Sequence, residues 1–318
     1  MNKILETTKF VVENSTSVKI NKDKIVEFCK NFKHDNHLHW LKASPVSYSH
    51  LEDRDKLNFL LVFNSTSFCY WGNPKWTVEY KNKKFDGSWA MVASILRTVE
   101  NGKPILDSRF RSEISGKEYA EILQGNIQIP LFKERLRITK EVASILNQKY
   151  KGDFTNVIKK AGGDVLKLLD LIVETFPSFE DVSEYKGKKV CFYKRAQLLV
   201  EDVYQSFDGK DYGALKNMDS FTACADYKIP QSLRKLGILS YTKELGDKID
   251  GLVQLSHNSP EEVEIRANTI WAVEMIKEEL KKSGKDVSSI VINDYLWLMG
   301  QHKDEDTKPY HRTITTAY

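Results

Sequence analysis

From Ser88 onwards the chain repeats one device: apolar residues three and four apart, opened by a residue that can cap a helix. Ser88 can open a helix that runs through Glu100, with Trp89, Val92, Leu96 and Val99 along one side and Gly102 just beyond. A second start lies near Ser115 or Gly116. Pro130-Leu131 leads into FKERLRITKEVASILNQKY, where Leu136, Val142, Ile145 and Leu146 mark a long amphipathic helix. Phe154–Ala161 and Asp164–Thr175 fit the same pattern. Ser259-Pro260-Glu261-Glu262 combines a capping serine, a proline at the first turn and a glutamate three residues on. A last helix is expected from Ser288 to Leu298. Stripes of this kind are buried by packing helix on helix, so the expected fold is mainly α.

The N-terminal part differs. Residues 4 to 33 suggest two short helices, with Ile20, Ile25, Val26, Cys29 and Phe32 at helical spacing. Between Leu57 and Tyr80 the pattern reads LNFLLVF, a continuous apolar run, then aromatic SFCYW, then an alternation over Trp76–Tyr80. Gly72-Asn73-Pro74 separates the last two. A β-hairpin or small sheet is expected near residues 57–80. The aromatics here, Phe59, Phe63, Phe68, Tyr70, Trp71 and Trp76, read first as core and second as a stacking platform for a flat base. No internal repeat, low-complexity linker or seam divides the sequence. It is expected to form one unit over residues 1–318.

A chain of 318 residues with 41% hydrophobic and 29% charged residues can build a substantial core. Its net charge of +4 comes with acids interleaved among the lysines, which counts against a nucleic-acid-binding face. Cys29, Cys69, Cys191 and Cys224 lie far apart, without a CxxC pair, so neither a zinc ribbon nor a disulfide framework is indicated. No stretch approaches the ~18 apolar residues of a membrane span, and the start of the chain lacks the form of a signal peptide. A soluble, cytoplasmic protein is expected. His34, His37, His39 and His50 invite a metal reading, but no carboxylate or cysteine stands at a ligand spacing from them. They read as a solvated polar segment, and no metal is expected.

Chemistry concentrates between Val190 and Leu236. On a helical wheel begun at Phe192, the residues Phe192, Ala196, Leu199, Val203 and Phe207 fall along one side. Lys194, Gln197 and Glu201 project from the other, which locally reads as a solvated face; a pocket lysine would look the same. Downstream, ADYKIPQ places Asp226 and Tyr227 just before Pro230, a residue suited to a helix start, with Gly237 suited to its end. In that connection free N–H groups and the helix dipole favour an ionised carboxylate. Such a carboxylate can cap the helix. It can also serve an N-glycoside hydrolase below the sugar, attacking the anomeric carbon or stabilising oxocarbenium-like charge.

IPLFKERLRI, VETFPSFEDV, FYKRAQLLVED, ADYKIPQ and EVEIR, with the spacing between them, resemble the queuosine salvage family, the queuosine 5′-phosphate N-glycosylases (hydrolases). The resemblance runs from about Phe10 to Tyr318. It implies a helical fold similar to DNA glycosylases. It also implies release of queuine, a modified 7-deazaguanine, from queuosine 5′-monophosphate, for later reinsertion into tRNA by a separate enzyme. By the same resemblance Asp226 is the catalytic carboxylate, Tyr227 belongs to its pocket and Lys194 contacts the substrate's phosphate or ribose. The substrate is a small molecule; no cofactor, metal or stable nucleic-acid partner is implied.

One motif departs from the family. Where the family commonly reads D-x-x-N-F-x-F-W, this chain has Asn64, Ser67, Phe68, Tyr70 and Trp71. Asparagine removes the charge and adds an NH₂ donor, so base recognition at that position is expected to differ. Phe68 and Trp71 keep a stacking role open. Asp86-Gly87-Ser88-Trp89 and His311-Arg312 also fit family patterns; Trp89 and His311 join the candidate substrate contacts. Two competitors remain at this level: a non-catalytic nucleotide- or tRNA-binding helical protein, and a glycosylase acting on damaged DNA bases.

Overall fold

A computed structural model describes residues 2–33, 39–302 and 304–318; His34 and His37 lie outside the described residues. The chain opens with α1 (Lys3–Glu13), strand β1 (Val18–Ile20) and α2 (Lys22–Asn31). Next come α3 (Asp53–Ser65), the hairpin β2 (Thr77–Tyr80) and β3 (Lys83–Asp86), and α4 (Gly87–Glu100). Two short helices, α5 (Ser108–Glu113) and α6 (Gly116–Ile122), precede the long α7 (Phe132–Tyr150), α8 (Thr155–Ala161) and α9 (Val165–Thr175). A second hairpin, β4 (Val182–Tyr185) and β5 (Lys188–Cys191), runs into α10 (Lys194–Ser206). The rest is α11 (Lys228–Lys235), β6 (Leu239–Tyr241), α12 (Lys243–Asp250), α13 (Pro260–Lys282) and α14 (Ser289–Met299). Strand β6 returns to pair antiparallel with β1. The fold is mainly α with three two-stranded sheets among the described residues.

Several sequence signals act as expected. Ser115 and Glu118 form a reciprocal capping box on α6, and Ser259 accepts the Glu262 amide at the start of α13. Helix α4 starts one residue before Ser88, after Asp86, and neither side chain caps it.

LNFLLVF is not a strand. It is the body of α3, in which every residue from Leu57 to Ser65 is buried. A helix packed on all sides has no polar face, so its sequence shows an apolar run rather than a stripe. The acids Asp53 and Asp55 in its first turn favour the helix dipole. The β element lies a little downstream, at Thr77–Asp86, outside most of the expected stretch. The hairpin Val182–Cys191 carries no apolar alternation on its exposed edge and was not expected at all.

Two apolar clusters form the interior. The larger centres on α3, α4, α7, α9 and α10; the smaller joins α2, α11, α12, α14 and one face of α13. Phe59, Phe63 and Trp76 are fully buried in the larger one, as core residues. The segment Ala223–Ile229 crosses from one cluster to the other: Cys224 and Ala225 pack in the first, Ala223 and Ile229 in the second. Asp226 sits on this crossing. Among the described residues no helix is long and apolar enough to cross a membrane.

Candidate active site

Asp181 sets the start of α10. Its backbone carbonyl accepts the amides of Phe192 and Tyr193 at 3.0 and 3.1 Å, and its Oδ2 accepts the amide of Lys194 at 3.1 Å. Tyr193 is thereby held at φ 49°, a left-handed conformation that costs a non-glycine residue about 1–2 kcal/mol. The kink delivers Lys194, only 7% exposed, as the first residue of the helix. No hydrogen bond or ion pair from the described residues engages its ammonium. The rest of that face is not solvated: Gln197, Glu201 and Asp202 are fully buried, which overturns the local expectation.

Asp226 is fixed through one oxygen. Its Oδ1 accepts the amides of Lys228 at 2.7 Å and Ile229 at 3.0 Å, the first donors of α11. No hydrogen bond from the described residues reaches Oδ2. Upstream, the Cys224 amide donates to Asn293 Oδ1 at 2.9 Å, and the Arg266 Nε lies 3.4 Å from the Ala225 carbonyl.

Asp226 and Lys194 line one cleft, of about 630 Å³ including space open to solvent, with Ser67, Phe68, Tyr70, Trp89, Tyr227 and Tyr310. Lys75, Asp86, Lys228 and Gln301 complete its polar rim. Tyr227 and Tyr310 pack at 4.7 Å between ring centroids. Among the described residues, no hydrogen-bond partner meets Trp89 Nε1 or Tyr70 Oη, both buried in this wall. The loop carrying Phe68 is held from behind by two buried arginines. Arg135 donates to the carbonyls of Thr66, Phe68 and Cys69, and Arg195 to those of Asn64, Ser65 and Ser178. Both guanidinium groups lie over the Phe68 ring, at 4.3 and 5.3 Å. Burial pushes Arg195 down to about 10, which leaves it charged at neutral pH.

A second, smaller hollow of about 340 Å³, including space open to solvent, adjoins the cleft. Ser88, Lys194, Asp226 and Trp297 belong to both; Trp40, Leu198, Cys224, Asn293 and Asp294 close the chamber. Behind it stand Glu201, Asp202 and His39. His39 is 3% exposed, so it is not part of a solvated segment. Its Nε2 lies 3.3 Å from Asp202 and 4.0 Å from Asp294. Burial, then the carboxylates of Asp294 and Asp202, push the Glu201 carboxyl well above the usual range. His39, Glu201 and Asp294 each offer a ligand atom within 4.8 Å of the others, a set with the donor chemistry for a cation.

The profile of the queuosine salvage protein family matches residues 47–318. The chain belongs to the queuosine salvage protein family. A protein of Sphaerobacter thermophilus named queuosine 5′-phosphate N-glycosylase/hydrolase is 40% identical over 324 residues, covering 99% of this chain and 97% of that protein. Proteins with the same name from Bos taurus and Dictyostelium discoideum are 33% and 28% identical, each covering at least 98% of both chains.

In this member of the queuosine salvage family, the cleft brings together Asp226, Lys194, Tyr227, Ser67, Phe68 and Trp89 from the sequence candidates. Three others stand behind it. Asn64 is fully buried and donates from Nδ2 to Asp202 at 2.7 Å and to the Leu60 carbonyl at 3.1 Å. Trp71 donates from Nε1 to the Thr313 carbonyl at 3.0 Å. His311 is buried against Tyr318, 3.0 Å from its hydroxyl; Tyr318 is the cleft residue. Asp181, Arg266, Arg135 and Arg195 are the residues that sequence reasoning missed. Their signal was present, since FEDV, EVEIR, IPLFKERLRI and FYKRAQ are four of the motifs that carry the resemblance.

Proposed function

We propose that this chain hydrolyses the N-glycosidic bond of queuosine 5′-monophosphate, adding water to give queuine and ribose 5-phosphate. One observation carries the assignment of roles: Asp226 is pinned through Oδ1, no hydrogen bond from the described residues reaches its Oδ2, and it shares a cleft with Lys194, whose ammonium none of the described residues engages. A fixed carboxylate without reorganisation to undergo stabilises positive charge as it develops on the ribose. It can equally attack the anomeric carbon, with water then cleaving the glycosyl ester.

A 7-deazaguanine has no N7 to protonate, so activation of the leaving base cannot come from that atom. The burden shifts to the sugar side, where Asp226 acts. Lys194 supplies a point charge for the 5′-phosphate, with Lys75 and Lys228 on the same rim. Phe68, Trp89, Tyr227 and Tyr310 offer flat apolar faces for the base. The modest net charge and the enclosed cleft suit a mononucleotide in a cytoplasmic salvage step rather than a polynucleotide.

Incubation of the purified protein with queuosine 5′-monophosphate should release queuine and ribose 5-phosphate, both identified by mass spectrometry. Unchanged nucleotide after many enzyme equivalents of time would remove the assignment.

A further inference from the structure

We propose that Gln197 is a positioning residue for the hydrolysis: its side-chain amide ties the turn that presents Lys194 to the segment that presents Asp226, and so sets the spacing of the two. The proposal rests on the functional reading above, which gives Lys194 and Asp226 their roles. Gln197 stands one turn into α10 and is fully buried. Side chains on a helix lean toward its N-terminus, so an amide at this place reaches back over the start of the helix. There its Nε2 donates to the Phe192 carbonyl at 3.3 Å. Its Oε1 accepts from the Thr222 amide at 3.3 Å and from the Thr222 hydroxyl at 3.1 Å. Phe192 lies two residues before Lys194, and Thr222 lies four residues before Asp226.

The residue type is what such a bridge needs. One group must donate to a carbonyl and accept from an amide and a hydroxyl at once, which a carboxamide does and a carboxylate or a thioether does not. Thr222 is 1% exposed, and no backbone carbonyl of the described residues takes its amide, which depends on this side chain. Arg266 joins the same two segments: its guanidinium lies 3.9 Å from the Phe192 ring centroid, and its Nε lies 3.4 Å from the Ala225 carbonyl. A single tie leaves a pivot. The Gln197 bridge, made at Thr222 rather than Ala225, removes that freedom. No hydrogen bond or ion pair from the described residues engages the Lys194 ammonium, so the placement of its turn governs where the charge stands toward Asp226. A misplacement of about 1 Å at a site of this kind can cost about a hundredfold in rate.

The test measures kcat/KM on queuosine 5′-monophosphate for Gln197→Met in the wild-type and in the Lys194→Met backgrounds. Gln197→Met keeps the length of the side chain and removes all three hydrogen bonds. It should lower kcat/KM by about tenfold in the wild type and by less than about twofold beside Lys194→Met, because the spacing to an absent ammonium has no effect. Equal losses in the two backgrounds would make Gln197 a merely structural residue and overturn the proposal, as would wild-type activity of Gln197→Met. Thr222→Val removes only the hydroxyl contact and keeps the test valid where Gln197→Met fails to fold. It should show the same dependence on background with a loss of about threefold, and Thr222→Ser should keep the wild-type value. Amide hydrogen exchange reads the tie without turnover. Gln197→Met, or Thr222→Val in its place, should raise exchange over residues 192–194 and 222–226 together, and a rise in one segment alone or in neither overturns the proposal. When the wild type releases no queuine, the functional reading fails instead, and the exchange measurement still decides about the tie.

Discussion

Arg266 grips both carboxylate oxygens of Asp181, at 3.0 and 2.5 Å, from a position where its Nε also faces the carbonyl next to Asp226. Asp181 in turn holds the amide of Lys194. One buried ion pair on α13 therefore fixes the backbone on both sides of the site. Burial opposes the charge on Arg266, but Asp181 and Glu262 outweigh it and push its pKa up. Asp181→Asn should cost about 3–5 kcal/mol in urea denaturation, because it removes the nearer of the two carboxylates that offset a buried guanidinium and leaves Glu262 at 3.8 Å. Asp181→Asn with Arg266→Met should recover part of that stability without recovering kcat.

Asp226→Asn tests the chemistry with little effect on the fold. The amide oxygen can still accept from Lys228 and Ile229, so stability should change by less than about 1 kcal/mol. Turnover should drop by about a thousandfold or more, with binding of the nucleotide retained in calorimetry. Wild-type turnover by this variant would exclude Asp226 from the reaction.

Lys194→Met separates phosphate from ribose contact. A phosphate role predicts a fall of about 30-fold in kcat/KM on the monophosphate, a weaker salt dependence, and a much smaller effect on the nucleoside. Equal losses on nucleotide and nucleoside would assign Lys194 to the ribose.

His311 makes stability depend on pH. Burial, reinforced by the Arg266 guanidinium, pushes its imidazole down to about 3. The unfolded chain takes up a proton near pH 6.5 that the folded chain refuses. The stability contributed by the neutral ring is thus complete above about 6.5 and is lost as pH falls toward 3. At pH 5 its share of the loss should be about 2 kcal/mol, and His311→Gln should remove that share from the measured slope.

Asn64→Asp would place a second carboxylate at the 2.7 Å contact that Asn64 now makes with Asp202. The pair would have to retain a proton, so its folded pKa would be raised. Below about 4 the variant should match the wild type. Above that, denaturation at stepped pH should show a deficit growing by about 1.4 kcal/mol per unit until the pair ionises.

Most helices of this protein were legible because caps and one-sided stripes report a helix that is half in water. The reach of that signal ends where water does. Helix α3 looked like a strand and the Lys194–Glu201 face looked solvated for one reason: complete burial removes the contrast between faces. Asp226 was legible because Pro230 and Gly237 frame a short helix, and its carboxylate does lie at that helix start. Asn64 was misplaced because a motif position fixes a residue's place in the chain but not the direction of its side chain. Asp181 and Arg266, 85 positions apart, were invisible as a pair, since only the tertiary fold brings them together.

The backbone from Asn64 to Cys69 offers five carbonyls to two buried arginines, which also donate to Pro130 and Ser178. Its length is therefore constrained, since inserting or deleting a residue would draw several of these carbonyls away from two buried charges. The Phe68 and Tyr70 rings also lie under Arg135, whereas the Ser67 side chain makes no contact of this kind. Divergence of base preference within this scaffold is thus channelled into exchange at 67, and away from remodelling of the loop itself.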